Sequence, residues 1–421
     1  MKRLTLLLLG SLISLVVYPK TLGQVADRYS ISAAYLAWVM SAPLTLVVVR
    51  YRAYRNTTTV LLWVLRWWAV VEYLTVTFVT QSINFTSVLA LAGVMAPTFM
   101  YEAGNFVAHQ RIEAPLVKVI CWLITISVIP VFVAALFILC TGGLDNLLRS
   151  ASTLRQLYHY GWLNDVALLV VIGFFSLLSL PRRHGHLWMA GLYLMVLVTT
   201  FSRTGAIALL MGGLISAILA RASFKRTIFF TVLACVILLF LFMGRNILPS
   251  SDLVRTMVLR YGRWVAGLDY LVEHPWFGLG LRSFTETVGY YLNPLTGQYT
   301  EMGSIHNDYL DLLVRGGLSY FGLFLSVVVS YLLRCIRKAS QSSYVRLSVT
   351  VVIVILLGSF AHNPLKNGTL SSLFWLFMGI GSGCQMRDDK NLEQQVMSGR
   401  FLQYAPSERS GNPTFKRKGN Y

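Results

Sequence analysis

The sequence predicts an all-α integral membrane protein with about 12 transmembrane helices and one large extramembrane loop. Of its 421 residues, 56% are apolar and only 13% are charged, and the mean hydropathy is +0.62, whereas soluble domains carry roughly 25% charged residues. The apolar residues also fall in runs of roughly 17 to 25, the length that crosses a bilayer's hydrocarbon core. An ordinary soluble protein is therefore excluded. The net charge of +19 would suggest nucleic acid in a soluble chain, but in a membrane protein the Lys and Arg residues report orientation.

Spans are expected at about residues 4–18, 31–49, 58–79, 83–101, 116–140, 162–180, 187–202, 204–220, 227–243, 317–333, 347–361 and 369–385. The first has a basic start and a signal-like core, but Val16-Val17-Tyr18-Pro19 offers no small-residue cleavage site, so it is read as uncleaved. Arg50, Arg52 and Arg55 follow the second. Taking that cluster as cytoplasmic fixes every later segment and puts both termini inside. Inside segments then hold roughly twice as many Lys and Arg as outside segments, and the short inner loops carry Arg182/Arg183 and Arg221/Lys225/Arg226. The third span contains Arg66 and Glu72, six residues apart and on different faces; Arg66 is expected to snorkel and Glu72 to line a cavity. Spans seven and eight meet at Phe201-Ser202-Arg203-Thr204-Gly205, which the alternation puts at the outer face. An arginine there either snorkels from a hairpin or has an anionic partner. Cys121, Cys140, Cys235, Cys335 and Cys384 show no CxxC spacing, so neither a disulfide framework nor a zinc site is expected.

Four regions follow: residues 1–243 with spans one to nine, a loop at 244–316, residues 317–385 with the last three spans, and a basic cytoplasmic tail at 386–421 expected to be disordered. The loop holds half of the outer basic residues, Arg245, Arg255, Arg260, Arg263, Arg282 and Arg315, against the positive-inside tendency. Positive charge is wanted there. From Leu253 to Glu273 apolar residues recur at helical spacing, with Arg260 and Arg263 sharing a face, which predicts an amphipathic helix on the bilayer or bundle ending before Pro275. Trp276-Phe277-Gly278-Leu279-Gly280 reads as an apolar turn. Gly303-Ser304-Ile305-His306-Asn307-Asp308 begins another helix and places His306 in a first helical turn, where the dipole would keep its imidazole neutral. A turn-capping surface histidine is the plainer reading.

These residues resemble the O-antigen ligase and polymerase-like membrane proteins, which share a glycosyltransferase-C type helical architecture. The resemblance covers roughly residues 190 to 330: Ser202-Arg203 at a span end, Gly262-Arg263-Trp264, His274-Pro275-Trp276-Phe277-Gly278-Leu279-Gly280 with Phe284, and His306-Asn307-Asp308-Tyr309-Leu310 through Gly316-Gly317. It implies an inner-membrane, inverting, metal-independent transferase that moves a glycan from undecaprenyl pyrophosphate to an acceptor hydroxyl at the periplasmic face. The leading expectation is O-antigen ligation to lipid A-core in lipopolysaccharide assembly. The alternative is a polymerase using a second lipid-linked glycan. Carried over, Arg203 and Arg263 become the pyrophosphate clamp and His306 the base, with Arg260, Arg282 and Asn307 as weaker substrate-binding candidates. No cofactor is implied.

Two other readings remain. A metal site at His306, Asp308 and Asp311 is disfavoured because residues two apart on a helix point away from each other; the two aspartates are read as solvated or loop-bracing. A glycan flippase would fit the span count, but the sequence shows no internal repeat and its polar mass lies asymmetrically after span nine.

Overall fold

The computed structural model describes residues 56–80, 85–149, 163–181, 185–200, 202–221, 250–281, 290–302 and 305–397. The spans expected at 4–18, 31–49 and 227–243 lie outside these residues, as does Arg282. The described elements are α1 (Thr57–Thr80), α2 (Phe85–Met95), a 3-10 turn (Ala96–Phe99), α3 (Met100–His109), α4 (Glu113–Arg149), α5 (Leu163–Ser179), α6 (Gly185–Thr199), α7 (Arg203–Leu219), α8 (Ser250–Glu273), the hairpin strands β1 (Tyr290–Leu292) and β2 (Tyr299–Glu301), α9 (Asp308–Lys338), α10 (Ser343–Ser359) and α11 (Gly368–Met397). The structure is mostly helical. By length and composition, three helices can cross a membrane, Thr57–Thr80, Glu113–Gly143 and Asp308–Lys338, and α5, α6, α7 and α10 are shorter apolar helices.

Packing follows from which helices are apolar all round. Every residue from Val166 to Ile172 of α5 is buried, and α4, α6, α7 and α10 surround it. A second centre is α11, buried along most of its apolar half and crossed by α3. A side chain at Gly379 would overlap the Tyr101 carbonyl, so these two backbones touch. By contrast α1 and α4 carry exposed Trp67, Phe78 and Phe137 on their outward faces, as lipid contact requires.

The structure corrects several expectations. Residues 83–101 do not form one span: Pro97, with no N–H to donate to the preceding turn, sits in the 3-10 turn between α2 and α3. Nor does Arg66 snorkel. It is 3% exposed, and its guanidinium donates through Nε to Thr98 Oγ1 at 2.8 Å, through Nη2 to Thr98 O at 2.6 Å and Glu102 Oε2 at 2.6 Å, and through Nη1 to Glu102 Oε1. Breaking the helix at Pro97 presents the Thr98 carbonyl to it. Glu72 is fully buried and does not pair with Arg66. The extramembrane segment contains a hairpin, unforeseen in an all-α fold, in which Tyr290 pairs Glu301 and Leu292 pairs Tyr299. Beyond residue 385 the basic tail continues as helix to Met397, because Arg387 donates to Glu113 Oε1 at 3.0 Å and Ala108 O at 2.8 Å while Lys338 lies 3.1 Å from Asp389.

Helix ends sort into two sets. One end of the bundle gathers the starts of α1 and α4, the end of α9 and the Arg387 region of α11, tied by the last contacts and by Arg334 to Thr57. The starts of α5, α7 and α9 and the α10–α11 connection lie at the other, with α8 and the hairpin packed there.

Candidate functional site

The site is built around the start of α9. Asn307 is its N-cap: Oδ1 accepts from Tyr309 N at 3.0 Å and Leu310 N at 3.1 Å, while Nδ2 donates to Phe360 O at 3.2 Å. His306 therefore precedes the helix and is not in its first turn, a correction that follows from asparagine being the better cap. Its φ of +58° lies in the left-handed region, uncommon for a side chain larger than glycine, although histidine is among the more tolerant residues. Contacts on both sides hold that conformation. Upstream, Trp264 Nε1 of α8 donates to Ile305 O at 3.0 Å, and Ile305 is buried with Leu279, Tyr291, Met302 and Val314 in a small extramembrane core. Downstream stands the Asn307 cap.

One helical kink organises this core. At Gly317 α9 turns with φ +59° and ψ −173°, a region open essentially only to glycine. The break frees the carbonyls of Val314 and Arg315 and the amides of Leu318 and Ser319. The turn after α8 takes all four: Leu279 N donates to Val314 O at 3.1 Å, Leu281 N to Arg315 O at 2.8 Å, Leu318 N to Pro275 O at 2.8 Å and Ser319 N to Trp276 O at 3.4 Å. A Cβ at Gly278 would overlap the Val314 carbonyl and one at Gly317 the Trp276 carbonyl. The Pro275-to-Gly280 run and Gly317 are thus two halves of one joint that fixes α8 against α9. Arg315 completes it, its Nη2 donating to Leu281 O at 2.9 Å and its Nη1 lying 3.4 Å from Asp311.

Because α8 is fixed, so are its arginines. Arg260 and Arg263 are a turn apart, both partly buried. The Arg263 Cζ lies 5.4 Å from the centre of the Tyr291 ring on β1, and its buried Nε has no hydrogen-bond partner. Gly262 lies against Pro294, so the hairpin covers this stretch of α8. His306 feels both charges. Burial first, then Arg263 and Arg260, then His362 and Lys366, lower the imidazole from its ordinary 6.5 to about 4. Burial and the Arg263 charge likewise lower Arg260. His306 is accordingly neutral at pH 7, by burial and neighbouring cations more than by a helix dipole.

His362, Asp165 and Asp308 close the far side. The His362 ring is nearly parallel to that of His306, at 16° with centroids 6.3 Å apart. His362 Nε2 lies 2.9 Å from Asp165 Oδ1 at the start of α5, and Asp165 Oδ2 accepts from Asn367 Nδ2 at 3.0 Å. Asp308 is buried and accepts from Ser359 Oγ at 2.9 Å, Asn363 Nδ2 at 3.2 Å and Leu365 N at 2.7 Å, bracing the connection that carries His362. It braces a loop and is not solvated; Asp311 is occupied by Arg315. In the sequence His362-Asn363-Pro364, at the outer end of a span, can be placed at the border of the site, but nothing there points to Asp165.

Arg203 is the exposed first residue of α7. Ser202 caps that helix, accepting from Gly205 N at 3.1 Å, and donates to Asn164 Oδ1 at 2.7 Å. Asn164 precedes Asp165, so Arg203 shares the bundle end with His306 through the start of α5. It is absent from the charges that lower His306. The geometry thus joins His306, Arg260 and Arg263 directly and Arg203 by one intermediate helix end, while Asn307 serves as a cap.

Residues 187–325 match the family model described as O-antigen ligase. This stretch of the chain is similar to the O-antigen ligase family. That segment includes α6, α7, α8, the hairpin and the kinked first half of α9, hence Arg203, Arg263 and His306 but neither Asp165 nor His362. The match supports a membrane enzyme of O-antigen ligase or polymerase type, acting in general on lipid-linked glycan and lipid A-core substrates. Neither a curated protein nor a solved structure matches the chain.

Proposed function

We propose that this O-antigen ligase-type protein transfers a glycan from undecaprenyl pyrophosphate to a hydroxyl of lipid A-core, with inversion and without a metal, at the periplasmic face of the inner membrane. The observation that carries the reading is a neutral, half-buried His306 beside Arg263 and Arg260, with no ion pair reaching either arginine among the described residues. Charge of that sign in a partly dry site suits a diphosphate. In the reaction the acceptor oxygen attacks the anomeric carbon from the face opposite the diphosphate. The bond from that carbon to the diphosphate oxygen breaks, its electron pair leaves with the diphosphate, and His306 takes the hydroxyl proton. An imidazole within about 3 Å of that hydroxyl serves as general base. Arg263 and Arg260 stabilise the charge developing on the leaving group, and Arg203 approaches it from α7. Arg282 remains a candidate for the same clamp.

The test is single-turnover transfer by purified protein in nanodiscs with chelator present, offering lipid A-core and a second lipid-linked glycan as separate acceptors. Product on lipid A-core that is lost in His306→Ala and Arg263→Ala supports ligation. Extension of the second donor would make the protein a polymerase of the same chemistry. No product on either acceptor would overturn the transferase reading in favour of transport.

A further inference from the structure

The pair Asp165 and His362 lies outside the family segment, and neither residue is needed to bury apolar surface. Both are nearly inaccessible, at 4% and 3% exposed. A carboxylate and an imidazole are costly to bury unless they are paired, and a connection between two helices can be held by apolar residues at no such cost. What the pair achieves is orientation. Asn367 accepts from Thr369 N at 3.0 Å and Leu370 N at 3.3 Å as the cap of α11, and its Nδ2 holds Asp165. Asp165 Oδ1 at the start of α5 lies within ion-pair distance of His362 Nε2, at 2.9 Å but without hydrogen-bond geometry, and the bracing of Leu365 and Asn363 by Asp308 fixes the backbone on either side. Three helix ends thus converge to fix one ring, and that ring lies parallel to the ring of His306. The backbone of His306 is fixed by Trp264 and Asn307, and its side chain lies nearly parallel to the His362 ring at 6.3 Å between centroids.

We propose that Asp165 and His362 are positioning residues for His306: Asp165 locks the His362 imidazole, and the parallel His362 ring holds the His306 imidazole in the plane from which it takes the acceptor proton. This rests on His306 being the base. An offset parallel arrangement at this separation is the geometry aromatic pairs prefer, and a base displaced by about 1 Å can lose on the order of 100-fold in rate. The charged and titratable groups that act on His306 are Arg260 and Arg263 from α8 and His362 and Lys366 from the α10–α11 connection. Asp165 faces His362 from α5.

The experiment compares the parent with His362→Gln and Asp165→Asn in nanodiscs by two readouts. One is transfer, resolved into kcat and donor KM. The other is carbethoxylation of His306 by diethyl pyrocarbonate against pH, read by mass spectrometry, which reports the neutral imidazole without substrate. The expected result is a fall in kcat of about 10- to 100-fold with donor KM within about twofold, and in His362→Gln a rise of the His306 modification midpoint from near 4, since His362 is one of the groups that lower it. Unchanged kcat in both variants overturns the proposal. So does a fall in kcat accompanied by a matching rise in KM and an unmoved midpoint, which is the signature of general structural damage. Asp165→Asn keeps the side chain's shape and carries the test should His362→Gln not fold. Full transfer by His306→Ala would instead remove the base reading itself, an outcome separate from the behaviour of the pair.

Discussion

The pH dependence of transfer gives the most demanding check on the site, because its two limbs must fall in different places. In the free protein His306 ionises at about 4, so at pH 5.5 only about 3% of it is protonated, against about 90% of an ordinary imidazole. The acid limb of kcat/KM, which reports the free enzyme, should therefore lie near pH 4. Donor binding changes the balance. A diphosphate held by Arg263 and Arg260 supplies negative charge where only positive charge stood, so the acid limb of kcat should lie higher than that of kcat/KM by about one unit or more. Arg263→Gln removes the largest charge acting on His306 and should move the kcat/KM limb upward from about 4 towards 6.5. The same lowering has a consequence for stability. The unfolded chain takes up this proton near 6.5 and the folded chain near 4, so the contribution is complete above about 6.5 and is lost as pH falls towards about 4. Initial rates in nanodiscs, with folding followed at each pH by intrinsic fluorescence, separate the kinetic limb from unfolding. A kcat/KM limb near 6.5 that Arg263→Gln leaves in place would refute the reasoning.

Further expectations concern the scaffold. Gly317→Ala puts a side chain into a glycine-only conformation and against the Trp276 carbonyl; it should cost about 1 to 3 kcal/mol or more, seen as a lowered thermal midpoint and faster proteolysis within the 275–281 turn. Glu102→Gln leaves the buried Arg66 charge without its carboxylate and should destabilise by about 3 to 5 kcal/mol, whereas a double replacement of Arg66 and Glu102 by apolar residues of similar volume should recover most of it. Asn307→Ala should lose about 1 kcal/mol of cap energy while Asn307→Asp keeps it; a thermal melt of the two variants side by side decides. Equal loss in both would mean that the bond to the Phe360 carbonyl matters more than the cap.

Helix positions were legible because apolar runs announce themselves within a window of about 20 residues, and α1, α4, α5, α6, α7, α10 and α11 cover the spans expected there. What was missed depends on partners distant in the chain. Arg66 looked like a snorkelling residue because its partner is 36 positions away, beyond a break made by Pro97. Expecting a loop to end at Gly316 separated His306 from the span that follows, yet α9 runs through, since the 275–281 turn satisfies the backbone groups that the Gly317 kink exposes. Asp308 and Asp311 read as solvated or loop-bracing, and only the fold shows which donors surround them. The arginines and the histidine could be singled out because their types and order carry chemistry. Asp165 could not be, and His362-Asn363-Pro364 reads only as bordering the site, since nothing near either residue in sequence foretells a contact between α5 and the α10–α11 connection.

The two ends of the bundle treat charge in opposite ways, and the contrast bears on direction as well as chemistry. At the end holding α3, the start of α4 and the polar half of α11, basic residues meet acids: Arg387 with Glu113, Lys338 with Asp389. At the other end the buried acids among the described residues are already engaged, Asp165 by His362 and Asn367, Asp308 by Ser359, Asn363 and Leu365, and Asp311 by Arg315. Asp269 and Glu273 are exposed on α8. No ion pair reaches Arg203, Arg260 or Arg263 among the described residues. In the proposed orientation, positive charge concentrated at the outer face runs against the insertion bias that favours basic residues inside, and two guanidiniums a turn apart disfavour each other. Such an arrangement disfavours the resting protein and becomes favourable only when an anion arrives. A diphosphate would relieve the repulsion between Arg260 and Arg263 and raise the proton affinity of His306 in the same step, so the base would strengthen when its substrate is in place.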